Sequence, residues 1–144
     1  MSSRTATVDW RGSLVRGAGA IELTSSGRAT FEYSLATRAA EASAVTSPEE
    51  LLAAAYASCY AMQLAALLDP GPDESPHLHV QAVVTQGGPE VDFGIVAIAL
   101  TVRGSHLAGT EGEFIATARD AAARCPVGRA LSSVPVTVDA QLAA

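Results

Sequence analysis

Residues 47–68 of the chain read SPEELLAAAYASCYAMQLAALL, and no charged residue follows Glu50 within this stretch. Its start carries the marks of a helix N-terminus: Ser47 is placed to act as N-cap, Pro48 occupies the first helical position, and Glu50 lies three residues after the cap. The breaker-rich segment DPGPDESP follows and ends the pattern. The stretch therefore predicts a helix of roughly twenty residues, about 30 Å long, with Cys59 near its middle.

This helix has the length of a membrane span but not the composition of one. Its filler is mostly alanine, acidic residues flank both ends, and no Lys or Arg anchors either side. We therefore expect a buried central helix whose core face follows 3-4 spacing through Leu52, Ala55, Cys59, Met62 and Ala66. Such a helix is longer than a small sheet covers, and its alanines permit a second helix to approach closely. We expect a homodimer in which the central helices pack together.

Composition limits the protein class. At 144 residues, of which 49% are hydrophobic, the chain suits a single domain over residues 1–144. A net charge of −6 and a pI of about 4.9 argue against a nucleic-acid partner and favour a soluble protein with no membrane association. The N-terminus lacks the apolar segment of a secretory signal, which predicts a cytoplasmic location. All nine basic residues are Arg, so no lysine can act as nucleophile or proton shuttle.

The remaining patterns predict an α+β fold. The runs ATVDW, GAIEL and ATFEYSL indicate three short strands, and LHVQAVVTQ and VDFGIVAIALTVRG indicate two longer strands joined by a GGPE turn. A second helix is predicted from Glu111 to Arg124, and VPVTVDAQL is predicted to be the last strand. The order βββ, α, ββ, α, β with hairpin-length connections favours a mainly antiparallel sheet.

The two cysteines allow more than one interpretation. In a reducing compartment they are better evidence for redox, catalytic or metal chemistry than for a permanent disulfide. Cys59 alone is explained more simply as a small core residue, because a mid-helix sulfur has no amide cluster and would need a cation from elsewhere. Cys125 ends the apolar face of the second helix, and Pro126 after it predicts a boundary with a short helix beginning PVGRAL. Two core-facing cysteines could meet in space, but the sequence alone does not establish that they do.

Two segments, TSPEELLAAAYASCYAM and CPVGRAL, together resemble the paired signature of the osmotically inducible protein C and organic hydroperoxide resistance (OsmC/Ohr) family. VDWRGSLVRGAGAIEL resembles the N-terminal hairpin of that family, and the element order, length and cysteine separation agree along nearly the whole chain. The CPV context and the Thr37-Arg38 pair resemble the osmotically inducible branch. The resemblance implies an OsmC-like α+β fold, with mainly antiparallel sheets around two long central helices in an intertwined homodimer.

The same resemblance implies a cysteine-based peroxidase, a peroxiredoxin-type oxidoreductase of the stress response that needs no cofactor. Cys59 would attack the O–O bond of an organic hydroperoxide, and Cys125 would resolve the resulting sulfenic acid as a disulfide. Arg38 matches the active-site arginine of the family, which would favour the thiolate, and Glu49 matches the acid that holds this guanidinium. Without the resemblance, Arg38 reads as a surface charge and Glu49 as a helix-dipole partner. A dithiol reductant, for example a lipoylated protein, would restore the thiols.

Several other interpretations stay open at this point. Apolar candidates to surround a hydrocarbon tail are Leu51, Leu52, Met62, Phe93 and Phe114, although core packing selects the same residue types. A metal site would combine Cys59 and Cys125 with His77 and His79, whose His-x-His spacing places both imidazoles on one face of a strand. Two further alternatives are a hotdog-type acyl-thioester enzyme and a carrier of hydrophobic ligands, neither of which needs a cysteine.

Overall fold

The computed structural model describes residues 1–71 and 74–143. In chain order the elements are β1 (Thr7–Arg11), β2 (Ala18–Glu22), β3 (Thr30–Tyr33), α1 (Leu35–Ala39), α2 (Pro48–Leu68), β4 (His77–Gln86), β5 (Ile95–Ser105), α3 (Glu111–Arg124), α4 (Pro126–Ala130) and β6 (Val136–Leu142). The predicted order is confirmed, with α1 and a 3-10 turn at Pro89–Val91 as additions. The described residues form two compact units, 1–51 and the part from Leu52 onward. The single domain over 1–144 stays a prediction.

The first unit is an antiparallel meander with the order β1-β2-β3. The side chains of Trp10 and Tyr33 meet over β2, with ring centroids 5.6 Å apart. Gly19 lies beneath them, and a Cβ at this position would come within 2.5 Å of the Tyr33 ring and 2.9 Å of the Trp10 ring. The strand therefore needs a glycine here so that the two aromatic rings can close over it.

The second unit contains a sheet with the order β4-β5-β6. β4 and β5 are antiparallel, whereas β6 runs parallel to β5, because the crossover through α3 and α4 returns the chain to the same end of the sheet. β5 begins at Ile95, later than the sequence predicted. Asp92 and Phe93 have φ angles of 53° and 55°, and this left-handed backbone cannot continue a strand.

Both long helices begin as their sequences predict. In α3, the Thr110 side chain accepts a hydrogen bond from the amide of Glu113 at 3.2 Å, and the Glu113 carboxylate accepts one from the Thr110 amide at 2.8 Å. In α2, the Ser47 hydroxyl accepts from the Glu50 amide at 3.2 Å. The Glu50 carboxylate instead accepts from the Thr46 hydroxyl at 2.7 Å, so only half of the predicted capping box forms at α2.

Helices α2 and α3 pack against the sheet of the second unit to form its core. The fully or nearly buried members of this cluster are Tyr56, Tyr60 and Leu64 of α2, Ile98, Leu100 and Val102 of β5, Phe114, Ala118, Ala121 and Cys125 of α3 and its end, and Ala140 of β6. Cys59 packs against the same cluster and is partly buried. The core is therefore continuous from the middle of α2 to the end of α3.

The predicted core face of α2 is wrong for a single chain. Ala55, Met62 and Ala66 are exposed, and Met62 is 76% exposed. Every face of this helix is apolar, so periodicity could not select one of them. The bulky side chains at 3-4 spacing, Tyr56, Tyr60 and Leu64, occupy the buried stripe instead, because alanine cannot fill the space between a helix and its neighbours.

Helix α2 also meets the length and hydropathy criteria of a membrane span, with 21 residues and a mean hydropathy of 1.6. The core helix of a soluble protein meets the same criteria, and the buried stripe of α2 belongs to such a core. It is therefore not a clear membrane span. Only 17% of its most apolar window is buried, and Ala55, Met62 and Ala66 are exposed in a single chain.

Candidate active site

Cys59 and Cys125 lie side by side in the second unit. Both are free thiols, and the Cys125 side chain interacts directly with that of Cys59. Cys125 is fully buried, whereas Cys59 is partly exposed. Of the two sulfurs, Cys59 is therefore the one that a small molecule can reach without displacing the core.

The local backbone of Cys125 follows from the proline after it. Its φ and ψ are −57° and 123°, so the residue leaves the helical region at the end of α3 and forms the N-cap of α4, as predicted. Its amide donates to the Ala121 carbonyl at 2.9 Å, and its carbonyl accepts from the Arg129 amide at 2.8 Å. The backbone of Cys125 is thus held on both sides while its side chain points into the core.

The environment of Cys125 keeps its sulfur protonated at neutral pH. Burial raises the pKa of the Cys125 thiol, and the adjacent Cys59 raises it further. The amides of Gly128 and Val127 face the sulfur and act in the opposite direction, but neither forms a capping hydrogen bond with it. Because burial outweighs the amides, Cys125 is a poor first nucleophile and a better partner for an already oxidised sulfur.

Arg38 and Glu49 form an ion pair in the first unit. Arg38 lies in the last turn of α1 and Glu49 in the first turn of α2. The Arg38 Nε donates to the two carboxylate oxygens of Glu49 at 3.1 and 3.2 Å, and Nη2 also donates to Oε1. The side chains are 35% and 13% exposed, so this is a charge-assisted pair at the edge of the solvent.

The pair holds both groups in their charged forms. The hydrogen bonds that Arg38 donates to Glu49 raise the pKa of Arg38 despite some desolvation. Burial by itself would raise the pKa of Glu49, but the hydrogen bond from Arg38, with smaller help from the backbone and Ser47, lowers it below its ordinary value. The predicted partnership of Arg38 with Glu49 is thus present. The predicted action of Arg38 on Cys59 involves residues of both units and stays a prediction.

Tyr56 is a member of the sulfur site that the sequence reasoning passed over. It is 1% exposed, and burial followed by the charges of Cys125 and Cys59 raises the pKa of its hydroxyl. A Cβ at Gly128 would lie 2.5 Å from the Tyr56 hydroxyl oxygen, so this hydroxyl lies against the first turn of α4. The available signal was the spacing of Tyr56 and Cys59, because residues three apart share a helix face.

The apolar residues proposed to surround a hydrocarbon tail do not form one group around Cys125. Phe114 is 3% exposed in the core and lies about three helical turns, roughly 16 Å, before Cys125. Phe93 is 57% exposed in the loop that precedes β5. Phe114 therefore packs the far end of the core, where its ring lies against Gly104, and an apolar lining beside Cys59 stays a prediction.

The alternative metal site is also not assembled. His77 and His79 lie on the exposed face of β4, whereas Leu78 and Val80 face the core that contains the sulfurs. Strand alternation thus directs both imidazoles away from Cys59 and Cys125. Among residues 1–71 and 74–143, no three His, Cys, Asp or Glu side chains gather in a group that could hold a metal ion.

Comparison with known proteins identifies relatives along nearly the whole chain. The family described as OsmC-like protein matches residues 41–139. Peroxiredoxin OsmC of Escherichia coli (strain K12) is 30% identical over 133 residues, which cover 92% of each chain. The family match spans Glu49 and both cysteines.

Solved structures show the same fold. The organic hydroperoxide resistance protein OhrB of Bacillus subtilis aligns with a TM-score of 0.62 and 24% identity, covering 96% of this chain and 98% of that one. An organic hydroperoxide resistance protein from Elizabethkingia anophelis aligns with a TM-score of 0.68 and 17% identity, covering 99% and 98%. These likenesses confirm the predicted α+β architecture.

Proposed function

Because the chain belongs to the OsmC-like protein family, we propose that it is a cysteine-based peroxidase that reduces organic hydroperoxides to alcohols. The observation that carries this proposal is the pairing of a partly exposed Cys59 with a buried, protonated Cys125 inside one core. The relative from E. coli is named a peroxiredoxin, and the fold neighbours are named organic hydroperoxide resistance proteins. Those names agree with a reaction that needs two adjacent sulfurs.

In the first step, the Cys59 thiolate attacks the distal oxygen of ROOH. The O–O bond breaks, the substrate leaves as the alcohol ROH after taking a proton, and Cys59 becomes a sulfenic acid. In this proposal Arg38 supplies the cation that favours the thiolate and the departing oxygen, and Glu49 fixes the orientation of its guanidinium. The Arg38 guanidinium loses little conformational entropy when the substrate binds, because Glu49 already holds its side chain in place.

In the second step, the Cys125 thiol attacks the sulfenic sulfur of Cys59, and water leaves as the disulfide forms. The raised pKa of Cys125 suits this order of events, since a neutral thiol does not compete for the peroxide. An external dithiol then reduces the disulfide, forming its own disulfide and returning both cysteines to thiols. A protein-bound lipoyl group is the dithiol we propose.

We also propose that the functional form is a homodimer joined through α2. The exposed residues Ala55, Ser58, Met62 and Ala66 recur along this helix at 3-4 spacing and form a stripe opposite the core. A stripe of small residues around one exposed methionine fits a second copy of the same helix. Sedimentation velocity should show a dimer, and Met62→Glu should shift it toward monomer. Val83→Glu, at an exposed hydrophobic residue of β4, is the matched control and should leave the dimer intact.

The central test is peroxide turnover with a small dithiol. The protein should consume cumene hydroperoxide or tert-butyl hydroperoxide faster than hydrogen peroxide, and intact mass after one equivalent of peroxide should show the loss of two hydrogen atoms in a disulfide between positions 59 and 125. Cys59→Ser should abolish turnover, while Ser133→Ala, a small change at an exposed residue, should not. Full peroxide turnover by Cys59→Ser would reject the proposal, and acyl-thioester hydrolysis retained by Cys59→Ser would favour a hotdog-type enzyme. Ligand binding without any turnover would favour a carrier.

A further inference from the structure

A cavity of about 510 Å³ opens between α3, α4 and β6, within the second unit. One wall is formed by Val134, Val136 and Val138, and Tyr56 lies at its base. This volume lies within the range of about 300–1,000 Å³ that is usual for small-molecule sites. Neither Cys59 nor Cys125 lines this cavity.

The valine wall is apolar because of strand alternation. Val136 and Val138 of β6 face the helices, while Thr137 and Asp139 between and after them point to the opposite face and are exposed. Asp139 is paired there with Arg103 at 2.9 Å. No carboxylate is therefore among the residues that line the cavity, and its interior surface favours a hydrocarbon chain.

Two arginines lie at the mouth of this cavity, Arg119 on α3 and Arg129 on α4. Both are exposed, and neither forms an ion pair with any residue in the described ranges 1–71 and 74–143, in contrast to Arg38, Arg103 and Arg124. The neighbouring acid on α3, Asp120, is already paired with Arg124 one turn later at 3.1 Å. On a chain of net charge −6, two unneutralised guanidinium groups beside an apolar wall form a local positive site.

We propose that this cavity binds a small anionic amphiphile, with its carboxylate at Arg119 and Arg129 and its aliphatic tail along Val134, Val136 and Val138. The forked guanidinium groups match the planar carboxylate, and the valines remove the tail from water. Binding requires no reaction of either thiol, so the proposal stands or falls separately from the peroxidase function. Because Tyr56 lines this cavity and also interacts with both cysteines, an occupant would contact a side chain that borders the sulfur site.

The test is calorimetric titration of the whole protein with sodium decanoate below its micelle concentration. We expect saturable binding of one decanoate per chain that weakens with added salt. Arg119→Gln and Arg129→Gln should each weaken binding about five-fold or more, the cost of about 1 kcal/mol for one charge-assisted contact. The matched control is Arg124→Gln, which removes the same charge from α3 at a residue that does not line the cavity, and it should bind as the wild type does.

Two further ligands test the contributions of the charged headgroup and of the aliphatic tail separately. Decan-1-ol should bind more weakly because it lacks the charge, and butanoate should bind more weakly because it lacks the tail. Cys59→Ser should bind decanoate normally even though it has no turnover. The proposal is overturned if decanoate does not saturate, if the Arg119→Gln/Arg129→Gln double variant binds as tightly as the wild type, or if Arg124→Gln weakens binding to the same extent.

Discussion

The hydroxyl of Tyr60 on α2 donates a hydrogen bond of 3.0 Å to the carbonyl oxygen of Ala118 on α3. Both residues are fully buried, so the bond ties the two long helices together inside the core. The same bond gives the Tyr60 hydroxyl a hydrogen-bond partner inside the core, where the rest of the side chain is apolar. Burial raises the pKa of this hydroxyl, and the group is therefore a neutral donor at neutral pH.

Tyr60→Phe should lower the free energy of unfolding by about 1 kcal/mol, because it removes one buried hydrogen bond and keeps the ring. Tyr60→Ala should cost about 3–5 kcal/mol, because it also leaves a cavity among α2, α3 and β5. Urea unfolding followed by circular dichroism measures both values. Equal losses for the two variants would mean that the ring contributes nothing beyond its hydroxyl.

Cys125→Ser should separate the two chemical steps. With the resolving sulfur gone, one equivalent of organic hydroperoxide should be consumed per chain, and Cys59 should remain as a sulfenic acid that a dimedone reagent labels. The wild type treated in the same way should form a disulfide and take up little label. Continued multiple turnover of Cys125→Ser with a dithiol would show that the external reductant, not Cys125, attacks the sulfenic acid.

The Arg38–Glu49 pair should make the free energy of unfolding depend on pH in the acidic range. The pKa of Glu49 is lowered in the folded chain, so its contribution is present above the unfolded value of about 4.3 and is lost as the pH falls through the folded value. Glu49→Gln should therefore be less stable than the wild type at pH 7 by about 0.5–1 kcal/mol, since solvent screens the 35% exposed Arg38. Urea unfolding at pH 7, 5 and 3 should show this difference shrink toward zero.

Arg38→Ala tests the catalytic part of the same pair. If the guanidinium assists Cys59, the second-order rate with cumene hydroperoxide should fall by about 100-fold or more, as for the loss of one preorganised charge. Arg28→Ala is a suitable control, because Arg28 is exposed and lies in the turn before β3. An Arg38→Ala variant with the wild-type rate would leave the ion pair with a structural role only.

Gly128→Ala should destabilise the sulfur site by crowding. The added Cβ would lie 2.5 Å from the Tyr56 hydroxyl oxygen and 3.0 Å from the Ala122 carbonyl oxygen, an overpacking that costs about 1–3 kcal/mol. Tyr56→Phe in the Gly128→Ala background should recover part of this loss, because it removes the closest atom. A double-mutant cycle on thermal unfolding measures the coupling, and strict additivity would show that the two side chains do not press on each other.

Local chemistry made much of the fold predictable from sequence. The capping residues Thr110 and Glu113 mark the start of α3, and Pro126 forces Cys125 out of the helix at the predicted point. Period-two alternation located β4 and β6, whose exposed and shielded residues alternate. Each of these signals depends on residues only a few positions apart, so a single sequence is enough to identify it.

The features that were predicted wrongly or not at all depend on contacts between residues that are far apart in the chain. Helix α2 is apolar on every side, so its pattern does not reveal that Tyr56 and Tyr60 face the core while Met62 remains exposed. The orientation is set by how the side chains fill the space beside α3 and the sheet, which are distant in sequence. The parallel pairing of β6 with β5 depends on the crossover rather than on either strand's own pattern. Tyr56 was passed over as a site residue because its proximity to Cys125 arises only after α3 packs on α2.

The boundary between α3 and α4 at Cys125 couples the redox state of the sulfurs to the backbone of α4. Helix α4 has only five residues, and its closing contacts are the bonds from the amides of Arg129 and Leu131 to the carbonyls of Cys125 and Val127. When the Cys125 sulfur bonds to Cys59, a backbone shift at Cys125 can be accommodated by fraying this single turn while the longer helices stay intact. Deuterium uptake at the Arg129 and Leu131 amides should therefore become faster on oxidation. Exchange at these two amides would then report the redox state of the sulfurs.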